Sequence, residues 1–125
     1  MIRSYSSLSP PAPPCDGGLP GRRLKLVHEY IEDNLGEPIA LRELASLAGV
    51  SARHFGRAFR QALGVPPYAY VLTRRLATAR DLLINQPLLT IGEIATKTGF
   101  SSSSHLASAF RRRFGYSPIA LRKQH

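Results

Sequence analysis

The sequence is poor in the residues that build cages, clusters and charge balance. It has one cysteine, Cys15, no tryptophan, and only eight Asp plus Glu against seventeen Lys plus Arg in 125 residues. A single thiol cannot close an internal disulfide or supply a cysteine metal cage, which fits a reducing compartment. No apolar stretch approaches the ~20 residues that cross a bilayer. The first sixteen residues also lack the charged-then-apolar layout of a secretory signal, so a cytoplasmic location is expected. Nothing resembles a catalytic nucleophile with its base, a paired-carboxylate site or a Gly-rich phosphate loop, so the chain is not expected to be an enzyme. His28, His54, His105 and His125 show no spacing for convergent metal ligands. Neither a metal nor a cofactor is expected.

What remains is basic and globular. The formal charge of +9 and the pI near 10.6 project a positive field that attracts a polyanion. The hydrophobic content of 43% suffices for a core. Residues 1–20 are crowded with Ser, Pro and Gly and read as a disordered tail or linker. From Gly21 the spacing turns helical, with Leu24, Val27, Ile31 and Leu35 on one face until Gly36 stops the run. No later segment alternates with period two, so the fold class is all-α.

An internal repeat organises the rest. Leu41-Arg-Glu-Leu-Ala-Ser-Leu-Ala-Gly-Val-Ser51 matches Ile91-Gly-Glu-Ile-Ala-Thr-Lys-Thr-Gly-Phe-Ser101 at constant offset. Phe59-Arg60, Gly64 and Pro67 then match Phe110-Arg111, Gly115 and Pro118, after one extra residue in the second copy. Each copy reads as a short amphipathic helix, a tight turn at Gly49 or Gly99, and a second helix. Thr90 with Glu93 forms a capping-box pattern, where the first copy has the poorer Ala40. Ser51, and Ser101 or Ser102, can cap the helices that follow. A turn this short sets two helices at a steep angle, the helix-turn-helix geometry. The segment 67–86 places Leu72, Leu76, Ala79 and Leu83 on one stripe and reads as a long helix linking lobe 1 (about 21–66) to lobe 2 (about 88–123) within one domain, 21–125.

The second helix of copy one, about 52–63, separates two chemistries. Arg53, Arg57 and Arg60 share one sector, and Phe55, Ala58, Phe59 and Ala62 lie opposite. An α-helix fits the major groove of B-DNA, where arginine donates two hydrogen bonds to guanine O6 and N7. Gly56, between the arginines, allows close approach to base edges. Arginines also serve simply to solvate an exposed face, but their place after a helix and a tight turn, inside a repeat, favours the groove. In copy two, about 102–114, the positions matching Arg53 and Arg57 are Ser104 and Ser108, and charge arrives only at Arg111 and Arg112. Serine discriminates poorly among bases. The first motif is therefore expected to supply most base discrimination and the second to add affinity through phosphates and shape. A nonspecific nucleic-acid binder and a helical protein-interaction module are the rival readings.

These residues resemble the AraC/XylS-type family of bacterial transcription regulators from about Gly21 to Arg122. The likeness rests on Leu41-x-Glu43-Leu44-Ala45-x-x-Ala48-Gly49-Val50-Ser51, on Arg75-Leu76 with Ala79 and Leu82-Leu83, and above all on Ile94-Ala95-x-x-x-Gly99-Phe100, Ser104-His105-Leu106 and Phe110-Arg111-Arg112-x-Phe114-Gly115-x-Ser117-Pro118. The resemblance implies seven helices and two lobes bridged by the fourth helix. It also implies recognition helices that enter successive major-groove segments of double-stranded DNA. Position by position, it implies base contacts at Arg53, Gly56, Arg57, Ser103, Ser104, His105 and Ser108. Many members carry arginine where this chain has Ser108. Ser51, Arg60, Arg74, Arg75, Arg111 and Arg112 are expected on the DNA backbone. RNA polymerase is the further partner expected. The domain alone should be a monomer, and a longer regulator a dimer through an N-terminal effector domain of the kind that family members commonly carry.

Overall fold

The computed structural model describes residues 19–124, and among these every regular element is an α-helix. In chain order they are α1 (Gly21–Asp33), α2 (Leu41–Ala48), α3 (Ala52–Leu63), α4 (Pro67–Asn85), α5 (Ile91–Lys97), α6 (Ser103–Phe114) and α7 (Pro118–Gln124). Among the described residues no helix is long and apolar enough to cross a membrane. The composition expected to make residues 1–20 a tail falls almost wholly outside the described residues.

Helix ends follow from local chemistry. The Ser51 hydroxyl accepts from the His54 N–H at 3.1 Å to start α3, and Ser102 does the same for α6 through the His105 N–H at 3.0 Å. At α5 the capping box is complete: Thr90 Oγ1 accepts from the Glu93 N–H, and the Glu93 carboxylate accepts from the Thr90 N–H. At α2 only half a box exists, because Ala40 has no acceptor. The Glu43 carboxylate still receives the Ala40 N–H at 3.1 Å. The two turn glycines, Gly49 (φ +74°) and Gly99 (φ +86°), take the left-handed conformation that side chains disfavour.

The chain divides into two compact units. The first holds the described residues through Asp33 together with Ile39–Tyr70. Its core joins Val27 and Ile31 of α1, Leu44, Ala45 and Ala48 of α2, and Phe55, Ala58 and Phe59 of α3. Phe59 packs on Phe55 at 5.5 Å and edge-on to Tyr70 at 5.5 Å. Such aromatic pairs contribute about 0.5–1.5 kcal/mol beyond the area they bury. Arg23 of α1 donates to the Ala48 carbonyl, placing a cation at the C-terminal end of α2.

The second unit holds Asn34–Pro38 and the described residues from Val71 onward. Leu76, Ala79, Leu83, Ile94, Ala95, Phe100, Leu106, Ala109, Phe110 and Leu121 form its core. The one buried polar side chain there, Thr98, is satisfied by donating its hydroxyl to Ile94 O at 2.7 Å. Arg122 of α7 donates to the carbonyls of Leu83, Gln86 and Leu89 and so closes the C-terminal end of α4.

Four apolar positions depart from the periodic reading. Leu41, Leu72 and Ala62 are exposed rather than core, and Val71 takes the buried place on α4. The fourth is Leu35. It is buried as expected, but α1 has already ended at Asp33, and Leu35 packs in the second unit with its neighbours 34–38.

Candidate nucleic-acid interface

In the first unit, α2, the turn at Gly49 and α3 form the helix-turn-helix that the repeat predicts. Phe55, Ala58 and Phe59 are buried to within 1% and fix which face of α3 turns inward. Arg53, Arg57 and Arg60 are exposed on the other side. Gly56 lies among them with open space: a Cβ built on it meets nothing within 4 Å. Nothing inside the protein therefore requires glycine there, although glycine in a helix interior costs about 0.5–1 kcal/mol relative to alanine. Ser51 spends an oxygen lone pair on its cap, which leaves its O–H free to donate outward.

In the second unit the equivalent face of α6 exposes Ser103, Ser104, His105 and Ser108, followed by Arg111, Arg112 and Arg113 in the last turn. Leu106, Ala109 and Phe110 are buried behind them. The structure resolves the choice of capping serine in favour of Ser102. Ser101 instead lies with its Oγ 3.2 Å from His105 Nδ1.

Two arginines expected on the DNA backbone have intramolecular partners. Arg75 Nε donates to Leu35 O at 3.0 Å and its Nη2 to Glu37 O at 2.8 Å. Partial burial pulls its pKa below the usual guanidinium value. Its structural task is to fasten the 34–38 segment, and charge counting in the sequence cannot show that. Arg74 also has an interaction within the molecule. Each turn glycine receives an arginine: Arg23 lies against Gly49, and Arg75 lies where a Cβ on Gly99 would come within 2.7 Å of its Nε. Sequence reasoning found the glycines and missed the guanidinium groups that need them.

Among the carboxylates, Glu93 titrates below its ordinary range. The main cause is the Thr90 backbone N–H that it accepts, with the Thr90 side chain and Lys97 adding to it. Tyr30 titrates above its ordinary range through loss of solvent, helped by the neighbouring Glu43.

A helix-turn-helix domain family matches residues 44–124. The regulator GlxA of Rhizobium meliloti (strain 1021) is 37% identical over 126 aligned positions, which cover 96% of this chain and 39% of GlxA. The chain thus spans about two fifths of the length of that relative. An AraC-type transcriptional regulator from Chromobacterium violaceum has a solved structure that is 36% identical, with a TM-score of 0.76 over 82% of this chain and 91% of that one. The DNA-binding domain of the global transcriptional factor AdpA, solved in complex with a target DNA, is 33% identical, with a TM-score of 0.74 over 82% of this chain and 90% of that one.

Proposed function

As this chain belongs to the AraC-type family of helix-turn-helix transcriptional regulators, we propose that it binds double-stranded DNA in a sequence-specific way and so regulates transcription. In this reading α3 and α6 enter successive segments of the major groove. The observation that carries it is the two-sided character of α3: Phe55, Ala58 and Phe59 are buried behind exposed Arg53 and Arg57, with half-buried Gly56 between the two arginines. Arg53 and Arg57 read base edges, which arginine can grip with two hydrogen bonds. Ser103, Ser104, His105 and Ser108 give the second helix short polar contacts, and Arg111 and Arg112 add phosphate attraction. The second motif therefore anchors more than it discriminates. Ser51 and Arg60 contact the backbone beside the first motif. Arg75, whose donors already serve Leu35 and Glu37, is left out of the contact set.

The bound protein acts by helping or hindering RNA polymerase. The domain binds as a monomer, and any dimerisation belongs to further sequence of the kind that its longer relatives carry. Catalysis has no part in this role, and the field of a cytoplasmic, basic protein brings it to the duplex.

Selection of bound sites from a random duplex pool tests the reading. Enriched sites should show one strongly preferred segment, read by α3, and one weaker segment, read by α6. Equal information in the two segments would remove the proposed division of labour. Absence of any enriched sequence, with affinity that falls steeply with salt, would favour a nonspecific binder. Weak affinity that is indifferent to salt would favour a protein-interaction module.

A further inference from the structure

The second helix-turn-helix is one residue longer than the first between its turn glycine and its recognition helix, and the extra residue acquires a task. In the first copy the serine after the turn, Ser51, is consumed as the cap of α3. In the second, Ser102 stands three residues before His105, as Ser51 does before His54, and takes the capping role. Ser101 is thereby released, and its hydroxyl oxygen lies 3.2 Å from His105 Nδ1. On its other side the imidazole meets the Phe100 ring edge to face, at 5.3 Å between centroids and 83° between planes. Phe100 is itself 6% exposed, so it offers a fixed wall. An exposed histidine would ordinarily sample several rotamers. Here a hydrogen bond and an aromatic wall hold it from two sides.

We propose that Ser101 is a positioning residue that locks His105 so that its Nε2–H donates to a hydrogen-bond acceptor on the bound duplex. The proposal rests on the reading of α6 as DNA-facing. Nδ1 is occupied by Ser101, which leaves Nε2 as the nitrogen with a free direction. When the ring is neutral, the serine O–H donates to Nδ1 and the ring proton resides on Nε2. When the ring is charged, Nδ1–H donates to Ser101 Oγ and Nε2 still bears a proton. Nε2 is a donor in both cases, and a duplex presents acceptors on its phosphates and on the purine N7, guanine O6 and thymine O4 edges. In the first copy the one serine after the turn, Ser51, is taken up by the His54 backbone N–H, and no second serine follows the turn to meet the His54 ring as Ser101 meets His105. The two equivalent histidines are therefore not equivalent readers.

The test is a set of anisotropy titrations with a duplex taken from the site selection, using the full chain and its variants Ser101→Ala, Ser101→Thr, His105→Ala and Ser101→Ala with His105→Ala. Thermal denaturation first confirms that each variant is folded. Ser101→Ala should weaken binding about five-fold, the worth of one ordinary net hydrogen bond, and Ser101→Thr, which keeps the hydroxyl, should retain most of it. Once His105 is alanine, Ser101→Ala should change nothing further. An unchanged affinity for Ser101→Ala, or the same loss with and without His105, would overturn the positioning role. Two further arms locate the acceptor: single methylphosphonate linkages remove one phosphate charge at a time, and single base-pair changes alter one edge. The site whose effect disappears in His105→Ala is the acceptor, and the absence of any such site overturns the proposal. If selection enriches no duplex at all, the DNA reading itself has failed. If a duplex is bound but Ser101 and His105 act independently, only this inference has.

Discussion

Two glycines in the second unit allow the cost of a left-handed residue to be separated from the cost of crowding. Gly99 and Gly115 have nearly the same backbone, φ +86° and +87°. A Cβ on Gly115 meets nothing within 4 Å, whereas one on Gly99 is driven into the Leu35 carbonyl oxygen and lies 2.7 Å from Arg75 Nε. Alanine at Gly115 should therefore cost only the conformational penalty, about 1–2 kcal/mol. Alanine at Gly99 should add an overpacking term of about 1–3 kcal/mol, since the contact is with backbone and with a guanidinium already bonded to Leu35 O. The expected totals are roughly 1–2 and 2–5 kcal/mol. A gap of about 1–3 kcal/mol corresponds to a Tm difference of roughly 5–20 °C in a domain of this size. Urea and thermal unfolding followed by circular dichroism would measure both. Equal destabilisation of the two variants, within about 0.5 kcal/mol, would refute the claim that the 34–38 segment is pressed against this turn. Gly49→Ala should fall between them, because its Cβ meets the free end of the Arg23 side chain, which can move.

Three further outcomes follow from the site. Gly56→Ala should raise stability by about 0.5–1 kcal/mol while weakening binding to the selected duplex, as unfolding and anisotropy measurements on the same sample would show. A stabilised variant with undiminished affinity would remove Gly56 from the interface. Arg57→Ala should cost about 1–3 kcal/mol of binding and relax preference at one base pair, while Arg112→Ala should weaken specific and random duplexes alike. Competition titrations with both duplexes distinguish the two, and equal losses on both for Arg57 would sink its role as a base reader. The Glu93 carboxylate is held below its ordinary range by the Thr90 N–H. Its stabilisation is therefore complete above the unfolded carboxylate value and disappears as pH falls through the lower folded value. Glu93→Gln should flatten that acid limb of the stability curve, and carbon-detected NMR titration should find Glu93 ionised when ordinary glutamates have begun to protonate.

The repeat made both helix-turn-helix units readable in advance, because turn glycines, capping serines and buried Phe55, Phe59 and Phe110 are constraints imposed within a few residues. The all-helical class, the α3 bounds and the outward arginine face all came from spacing. Leu35 shows where spacing stops being informative. It continues the Leu24, Val27, Ile31 stripe and is buried, but periodicity cannot say which body a residue packs against. Arg75 shows the same boundary for charge. Its sequence context matches that of a phosphate ligand, and only the positions of Leu35 O and Glu37 O reveal that its donors are spent. Ser101 and Ser102 were equivalent cap candidates on paper. The choice between them depends on where His105 N–H points, a fact set by the tertiary path of the turn.

The placement of Asn34–Pro38 alters what can be removed from this protein. The second helix-turn-helix is complete in sequence from Ile91 to Phe114, yet the body that holds it borrows five residues from far upstream. A fragment beginning at Val71 would carry α5, α6 and α7 intact, yet it would uncover the Gly99 turn, against which the Leu35 carbonyl lies, and strip Arg75 of both carbonyl acceptors. The duplication visible in the sequence is thus no longer a pair of interchangeable modules. Any transplant of the second helix-turn-helix to another scaffold has to carry the upstream strap with it.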